Sequence, residues 1–62
     1  MELSRDECIE LYFDLGKSIE HHKEKLDRYK SIKLQQGVEF ETDRINCLSA
    51  IKDKIKRGLE NE

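Results

Sequence analysis

Two histidines and two cysteines are the residues of this chain whose side chains most often bind metals or act as nucleophiles. His21 and His22 are adjacent, so on a helix they point about 100° apart and cannot share a metal ion as ligands spaced four residues apart do. Cys8 and Cys47 have no CxxC spacing and match no Cys/His catalytic pattern. The sequence therefore predicts no metal site and no cofactor, and it predicts that both cysteines are small buried hydrophobic residues.

Carboxylates are numerous in the chain, but they are spread over positions expected to face solvent. General acid–base catalysis needs a carboxyl group whose pKa has been shifted by an apolar environment. A chain of 62 residues has little room for such a pocket. We therefore expect no catalytic residues and no enzymatic activity.

The elements that would position any site follow from a repeat in the first half of the chain. Eight positions recur at alternating steps of four and three, and six of them are apolar or aromatic. They are Cys8, Tyr12, Leu15, Ile19, His22, Leu26, Tyr29 and Lys33. A second stripe comprises Ile45, Leu48, Ile51, Ile55 and Leu59. Repeats of this kind are typical of helices packed along their length, so the sequence predicts an all-α, antiparallel two-helix hairpin.

Capping residues suggest where these helices begin and end. Ser4 and Glu7 form a capping box, Gly37 suits a helix end, and Thr42 suits the start of the next helix. We expect a single domain over 1–62, with helix 1 at about 4–36, a turn at about 37–41 and helix 2 at about 42–60.

This turn sets the expected register between the helices. Cys47 would face Leu26, and His22 would face Ile51 as a polar residue that helps to fix the register. Leu26 and Ile51 would both be buried, and His22→Leu would be tolerated.

A homodimer is expected because two helices make a thin core, and because Leu3, Cys8 and Ile9 would extend past the end of the second helix. Within each chain, acidic residues near its start would meet basic residues near its end, which favours an antiparallel arrangement of its two helices. The simplest assembly is a four-helix bundle. Its predicted core comprises Leu3, Cys8, Tyr12, Leu15, Ile19, His22, Leu26, Tyr29, Leu48, Ile51, Ile55 and Leu59.

Composition limits the cellular compartment and the classes of binding partner that we expect for this protein. Of the residues, 35% are hydrophobic and 42% are charged, and the formal net charge is −2. This net charge gives no electrostatic case for binding nucleic acid or an anionic membrane. No apolar run approaches the roughly 18 residues of a membrane span, and the start of the chain lacks a signal-peptide layout. We expect a cytoplasmic protein with reduced thiols.

A second apolar line on the first helix is the candidate functional site. Ile9, Phe13 and Gly16 follow an i, i+4, i+7 spacing outside the main stripe. They either widen the dimer core or form a docking surface for another protein. We favour a small self-associating helical protein that binds and regulates another protein as an inhibitor or adaptor. The small size suits a regulator encoded by a phage or another mobile element.

Nucleic-acid binding is the alternative function. The segment 15–18, Leu-Gly-Lys-Ser, resembles the start of transposase-like helix-turn-helix units, which implies a turn at Gly16 followed by a basic recognition helix. A second basic group near the end of the chain comprises Lys52, Lys54, Lys56 and Arg57. In length and layout the chain also resembles the Rop-type RNA-binding hairpin, which dimerises into a four-helix bundle, and small type III secretion chaperones.

Overall fold

The fold is an antiparallel helical hairpin. The computed structural model describes residues 3–61, which form helix α1 (Arg5–Ser31), a turn at 32–34 and helix α2 (Gln35–Glu60). The helices pack against each other in a body 44 Å long. The predicted all-α hairpin is therefore confirmed, while positions 1, 2 and 62 of the predicted domain lie outside the described residues.

The start of α1 follows from its local sequence. Ser4 Oγ accepts a hydrogen bond from the backbone N–H of Glu7 at 3.1 Å, and the backbone N–H of Ser4 donates to Glu7 Oε1 at 2.9 Å. The predicted capping box is therefore present. The backbone N–H and the side chain of Ser4 hold the pKa of Glu7 below its ordinary value, because both hydrogen bonds favour the ionised carboxylate.

From that cap, α1 continues through Gly16 to Ser31 without a break. The predicted helix-turn-helix with a turn at 15–18 is therefore wrong. Leu15 and Ile19, on either side of Gly16, both lie on the side of α1 that faces α2. Packing on both sides of Gly16 offsets the roughly 1 kcal/mol by which glycine disfavours a helix.

The turn comes earlier than predicted. α1 ends at Ser31 and α2 begins at Gln35, so the predicted end of helix 1 at about 36, the predicted turn at 37–41 and the predicted start of helix 2 at about 42 are wrong. Lys33, assigned to the first stripe, is exposed in the turn and adopts a φ of 57°. Thr42 lies inside α2 and is no cap.

Gly37 explains the difference in turn position. It lies in the first turns of α2, where a Cβ would sit 2.6 Å from ring carbons of Tyr29. The glycine therefore allows α2 to approach the Tyr29 ring closely and does not end a helix. A glycine suits either role, and only the packing of α2 on Tyr29 distinguishes them.

The earlier turn changes the register of α2. Its side facing α1, here called the inner stripe, keeps strict steps of four and three, and each of its residues is buried or half-buried. The inner stripe comprises Glu41, Ile45, Leu48, Lys52, Ile55 and Leu59. Ile51 is 41% exposed in the hairpin and Cys47 is also exposed, so the prediction that these two residues face α1 is wrong. His22 contacts Glu41 and does not face Ile51.

The resulting core is small. Among the described residues, Ile19 and Leu48 are the hydrophobic residues counted as buried, at 7% and 9% exposure. The other predicted core positions, apart from Ile51, are half-buried: Leu3, Cys8, Tyr12, Leu15, His22, Leu26, Tyr29, Ile55 and Leu59. Over residues 3–61, neither helix has the length and apolar character needed to cross a bilayer.

Candidate partner-binding surface

An open groove lies where the first half of α1 packs beside the second half of α2. It has a volume of about 370 Å³. Its lining residues are Tyr12, Phe13, Gly16, Lys17, Glu20 and Lys52. We call it the aromatic groove, because two neighbouring rings form one side of it.

The two rings differ in burial because they are consecutive on a helix. Tyr12 belongs to the stripe of α1 that faces α2 and is half-buried. Phe13 points about 100° further round the helix and is 62% exposed. The ring centroids are 5.8 Å apart with an interplanar angle of 84°, an edge-to-face arrangement that aromatic pairs favour. The half-buried tyrosine thus supports an exposed phenyl ring.

Lys52 extends from α2 across the floor of this groove. Its Nζ lies 4.6 Å from the centroid of the Tyr12 ring, which is within the range of a cation–π interaction. A Cβ on Gly16 would lie 3.5 Å from the same Nζ, an ordinary contact distance. The missing side chain of Gly16 therefore leaves the groove open, and Lys52 occupies part of that space.

The predicted partner-binding line is only partly brought together. Phe13 and Gly16 line the aromatic groove, whereas Ile9 is half-buried and is not among its lining residues. Sequence reasoning missed the contribution of Lys52. Strict alternation of four and three along α2 would have placed Lys52, and not Ile51, opposite α1. The sequence contains this alternation, but a stripe defined by apolar residues alone excludes a lysine.

A second polar contact joins the middle of the hairpin. His22 Nδ1 and Glu41 Oε2 are 2.8 Å apart, and Glu41 is only 2% exposed. This contact satisfies a buried carboxylate between the two helices. Within residues 3–61, no three His, Cys, Asp or Glu side chains are placed to hold a metal ion together.

The basic residues of the nucleic-acid alternative do not form one face. Lys52 is half-buried against Tyr12, whereas Lys54, Lys56 and Arg57 are exposed. Positions spaced two apart on a helix differ by about 200°, so Lys54 points away from Lys52 and Lys56. These residues therefore provide scattered charge and not a continuous phosphate-binding stripe.

Comparison with protein-family models, with characterised proteins and with solved structures finds no match for this chain. The chemistry of the aromatic groove is therefore the basis for a functional proposal. Aromatic side chains are enriched at protein interfaces, and the rims of such interfaces are polar.

Proposed function

We propose that this chain is a small, self-associating helical protein that binds and regulates another protein, and that the aromatic groove receives this partner. The observation that carries the proposal is the 62% exposure of Phe13 beside the half-buried Tyr12. Burying an exposed phenylalanine side chain contributes about 1.5–3 kcal/mol, and aromatic anchors often dominate binding energy. Phe13 is the proposed anchor of the interface.

The groove also suggests the chemistry of the partner segment. Gly16 leaves part of the groove open beside Phe13, while Lys17 and Lys52 provide cations that line the groove. Glu20 partly offsets these charges. A partner helix with an exposed apolar residue next to a carboxylate would fit this surface, because the carboxylate would pair with a lysine.

In this proposal the protein acts by binding and needs neither a catalytic residue nor a cofactor. We place it in the cytoplasm, where an exposed thiol such as that of Cys47 stays reduced. Regulation would follow from occupying a surface that the partner otherwise uses.

The test is capture of the native partner by wild-type protein and by Phe13→Glu. We expect the substitution to weaken capture by about thirtyfold or more, because a charged side chain cannot fill an apolar anchor site. Leu34→Glu is the matched control, since it changes an exposed apolar residue, 45% exposed, outside the groove. This control should capture the partner like wild type, and all three proteins should have the same helicity.

Two results would contradict the proposal. A loss of helicity in Phe13→Glu would show that Phe13 stabilises the fold itself. Unchanged capture by Phe13→Glu, together with loss of capture after Lys54, Lys56 and Arg57 are neutralised, would favour the nucleic-acid alternative. Binding of that kind would also weaken steeply with salt.

A further inference from the structure

Two further grooves lie along α1, and they have opposite charge. The acidic groove has a volume of about 420 Å³ and is lined by Leu3, Asp6, Glu7, Glu10, Leu11 and Asp14. The basic groove has a volume of about 460 Å³ and is lined by Lys25, Arg28, Tyr29, Ser31 and Ile32. Each groove combines apolar side chains with charges of one sign.

The two grooves lie on the same side of α1. Glu10 and Arg28 are 18 positions apart, and so are Leu11 and Tyr29. At about 3.6 residues and 1.5 Å per residue, this spacing is about five full turns and about 27 Å. A second α1 running antiparallel would therefore set its basic groove on the acidic groove of the first. Two-fold symmetry would form this contact twice.

The exposed side of α2 has a matching pattern. Its outer stripe keeps the same steps of four and three as the inner stripe, one position earlier. The outer stripe comprises Phe40, Arg44, Cys47, Ile51, Lys54 and Gly58, and all six residues are exposed. Phe40 is 60% exposed at one end. At the other end, no described atom lies within 4 Å of a Cβ built on Gly58.

An antiparallel second α2 would fit this stripe. Because His22 contacts Glu41 and Tyr29 packs at Gly37, the two-fold axis that sets Glu10 against Arg28 would cross α2 near residues 45 and 46. About that axis, Phe40 would lie opposite Ile51 of the second copy and Arg44 would lie opposite Cys47 of the second copy. A parallel pairing would instead set like charges together, which disfavours it.

The grooves of α1 and the outer stripe of α2 lie on one side of the hairpin. Tyr29 lines the basic groove and also contacts the position of Gly37. Gly37 precedes Phe40 by three positions, so the two are neighbours on the surface of α2. This contact joins the surface of α1 to that of α2.

We propose that a second copy of this chain covers this side in an antiparallel orientation and completes a four-helix bundle. The hairpin measures 44 by 18 Å in its two longer dimensions, so covering the whole of this side would give a contact on the scale of a standard interface, which buries about 800 Å² per partner. Its accessible surface is 5032 Å². A compact monomer of this mass would expose about 4,200 Å². The inference assigns a surface to the self-association proposed above, and it does not depend on the aromatic groove.

The experiment uses two charge-reversed variants and sedimentation equilibrium at micromolar concentration. One variant is Lys25→Glu/Arg28→Glu, and the other is Glu10→Lys/Asp14→Lys. Each alone would remove the attraction between the acidic and basic grooves in both contacts of a dimer, so each should sediment at 7.4 kDa. Wild type, and an equimolar mixture of the two variants, should sediment at twice that mass, because the mixed dimer restores opposite charges in both contacts.

A thiol cross-link provides a measurement that does not depend on charge. Arg44→Cys should form a covalent dimer with Cys47 of a second copy under mild oxidation. Thr42→Cys is the matched control, since position 42 is exposed on another side of α2 and should cross-link at least tenfold less.

Three outcomes would overturn this inference: a monomeric wild type, a dimeric Lys25→Glu/Arg28→Glu, or a mixture that remains monomeric. Equal cross-linking of the two cysteine variants would overturn the proposed α2 pairing. Phe13→Glu should keep the dimer mass, so loss of partner capture by that variant is distinguishable from loss of self-association.

Discussion

Two of the glycines inside the helices differ in the space beside them. A Cβ on Gly16 would meet Lys52 Nζ at 3.5 Å, where a flexible lysine end can adjust. A Cβ on Gly37 would lie 2.6 Å from ring carbons of Tyr29, and this ring is held between the two helices. The same substitution should therefore have opposite effects at the two positions.

We expect Gly16→Ala to raise the free energy of unfolding by up to about 1 kcal/mol, because alanine favours a helix and the contact distance is ordinary. Gly37→Ala should lower it, because the Tyr29 ring or the start of α2 must move. Urea unfolding at one protein concentration measures both changes, and wild type is the reference. Equal stabilisation by the two substitutions would show that Tyr29 does not pack on Gly37 as described.

Between the two helices, the contact of His22 with Glu41 determines which turns lie opposite each other. The carboxylate of Glu41 is 2% exposed and lies 2.8 Å from the imidazole. The expectation that His22→Leu is tolerated assumed that His22 faces Ile51. The structure changes this expectation, because leucine at position 22 would leave a buried carboxylate without its partner.

We therefore predict that His22→Leu lowers the free energy of unfolding by about 3 kcal/mol, the usual cost of leaving one member of a buried pair alone. The double variant His22→Leu/Glu41→Leu should recover most of the loss, since two apolar residues would then face each other. Denaturant unfolding of all four members of this cycle measures the coupling. His21→Leu, which changes the exposed neighbouring histidine, should unfold like wild type, and a matching loss there would exclude a specific role for Glu41.

The contact between His22 and Glu41 also shows how well helical periodicity alone predicted which residues of the two helices face each other. The stripe on α1 was correct from Cys8 to Tyr29, because its residues are mostly apolar and the capping box fixes the start of the helix. On α2 the apolar residues alone gave a stripe that included Ile51. The inner stripe instead contains Glu41 and Lys52, two charged residues that find partners in His22 and Tyr12.

The whole hairpin has a core too thin for a highly stable monomer. Ile19 and Leu48 are its buried hydrophobic residues within 3–61, and Phe13, Phe40 and Ile32 are each at least 60% exposed. Small domains bury a modest fraction of their surface and often depend on a partner subunit. Stability should therefore be linked to association.

We expect the melting temperature of the wild-type protein to rise over about a hundredfold increase in concentration, because association stabilises the folded state by mass action. Circular dichroism at a series of concentrations measures this change. Leu48→Ala should lower the melting temperature at every concentration, since removing a buried leucine side chain costs about 2–5 kcal/mol. A melt that does not change with wild-type concentration would show that the hairpin is stable as a monomer.

The sequence by itself determined the features that depend on neighbouring residues. These are the helical hairpin, the start of α1 at its capping box and the stripe of α1 that faces α2. Phe13 and Gly16 were also found from sequence, because helical spacing alone places them close together.

Only the tertiary structure decided the position of the turn, the register and the composition of the aromatic groove. The turn lies at 32–34 and α2 packs on Tyr29 at Gly37, whereas local sequence does not reveal which of two roles a glycine serves. The register depends on Glu41 and Lys52, whose burial is favourable only with His22 and Tyr12 opposite them. Contacts between residues distant in sequence thus decided the turn and the register, which helical periodicity does not fix. A charged residue is stable between two helices only where a suitable partner side chain lies within reach.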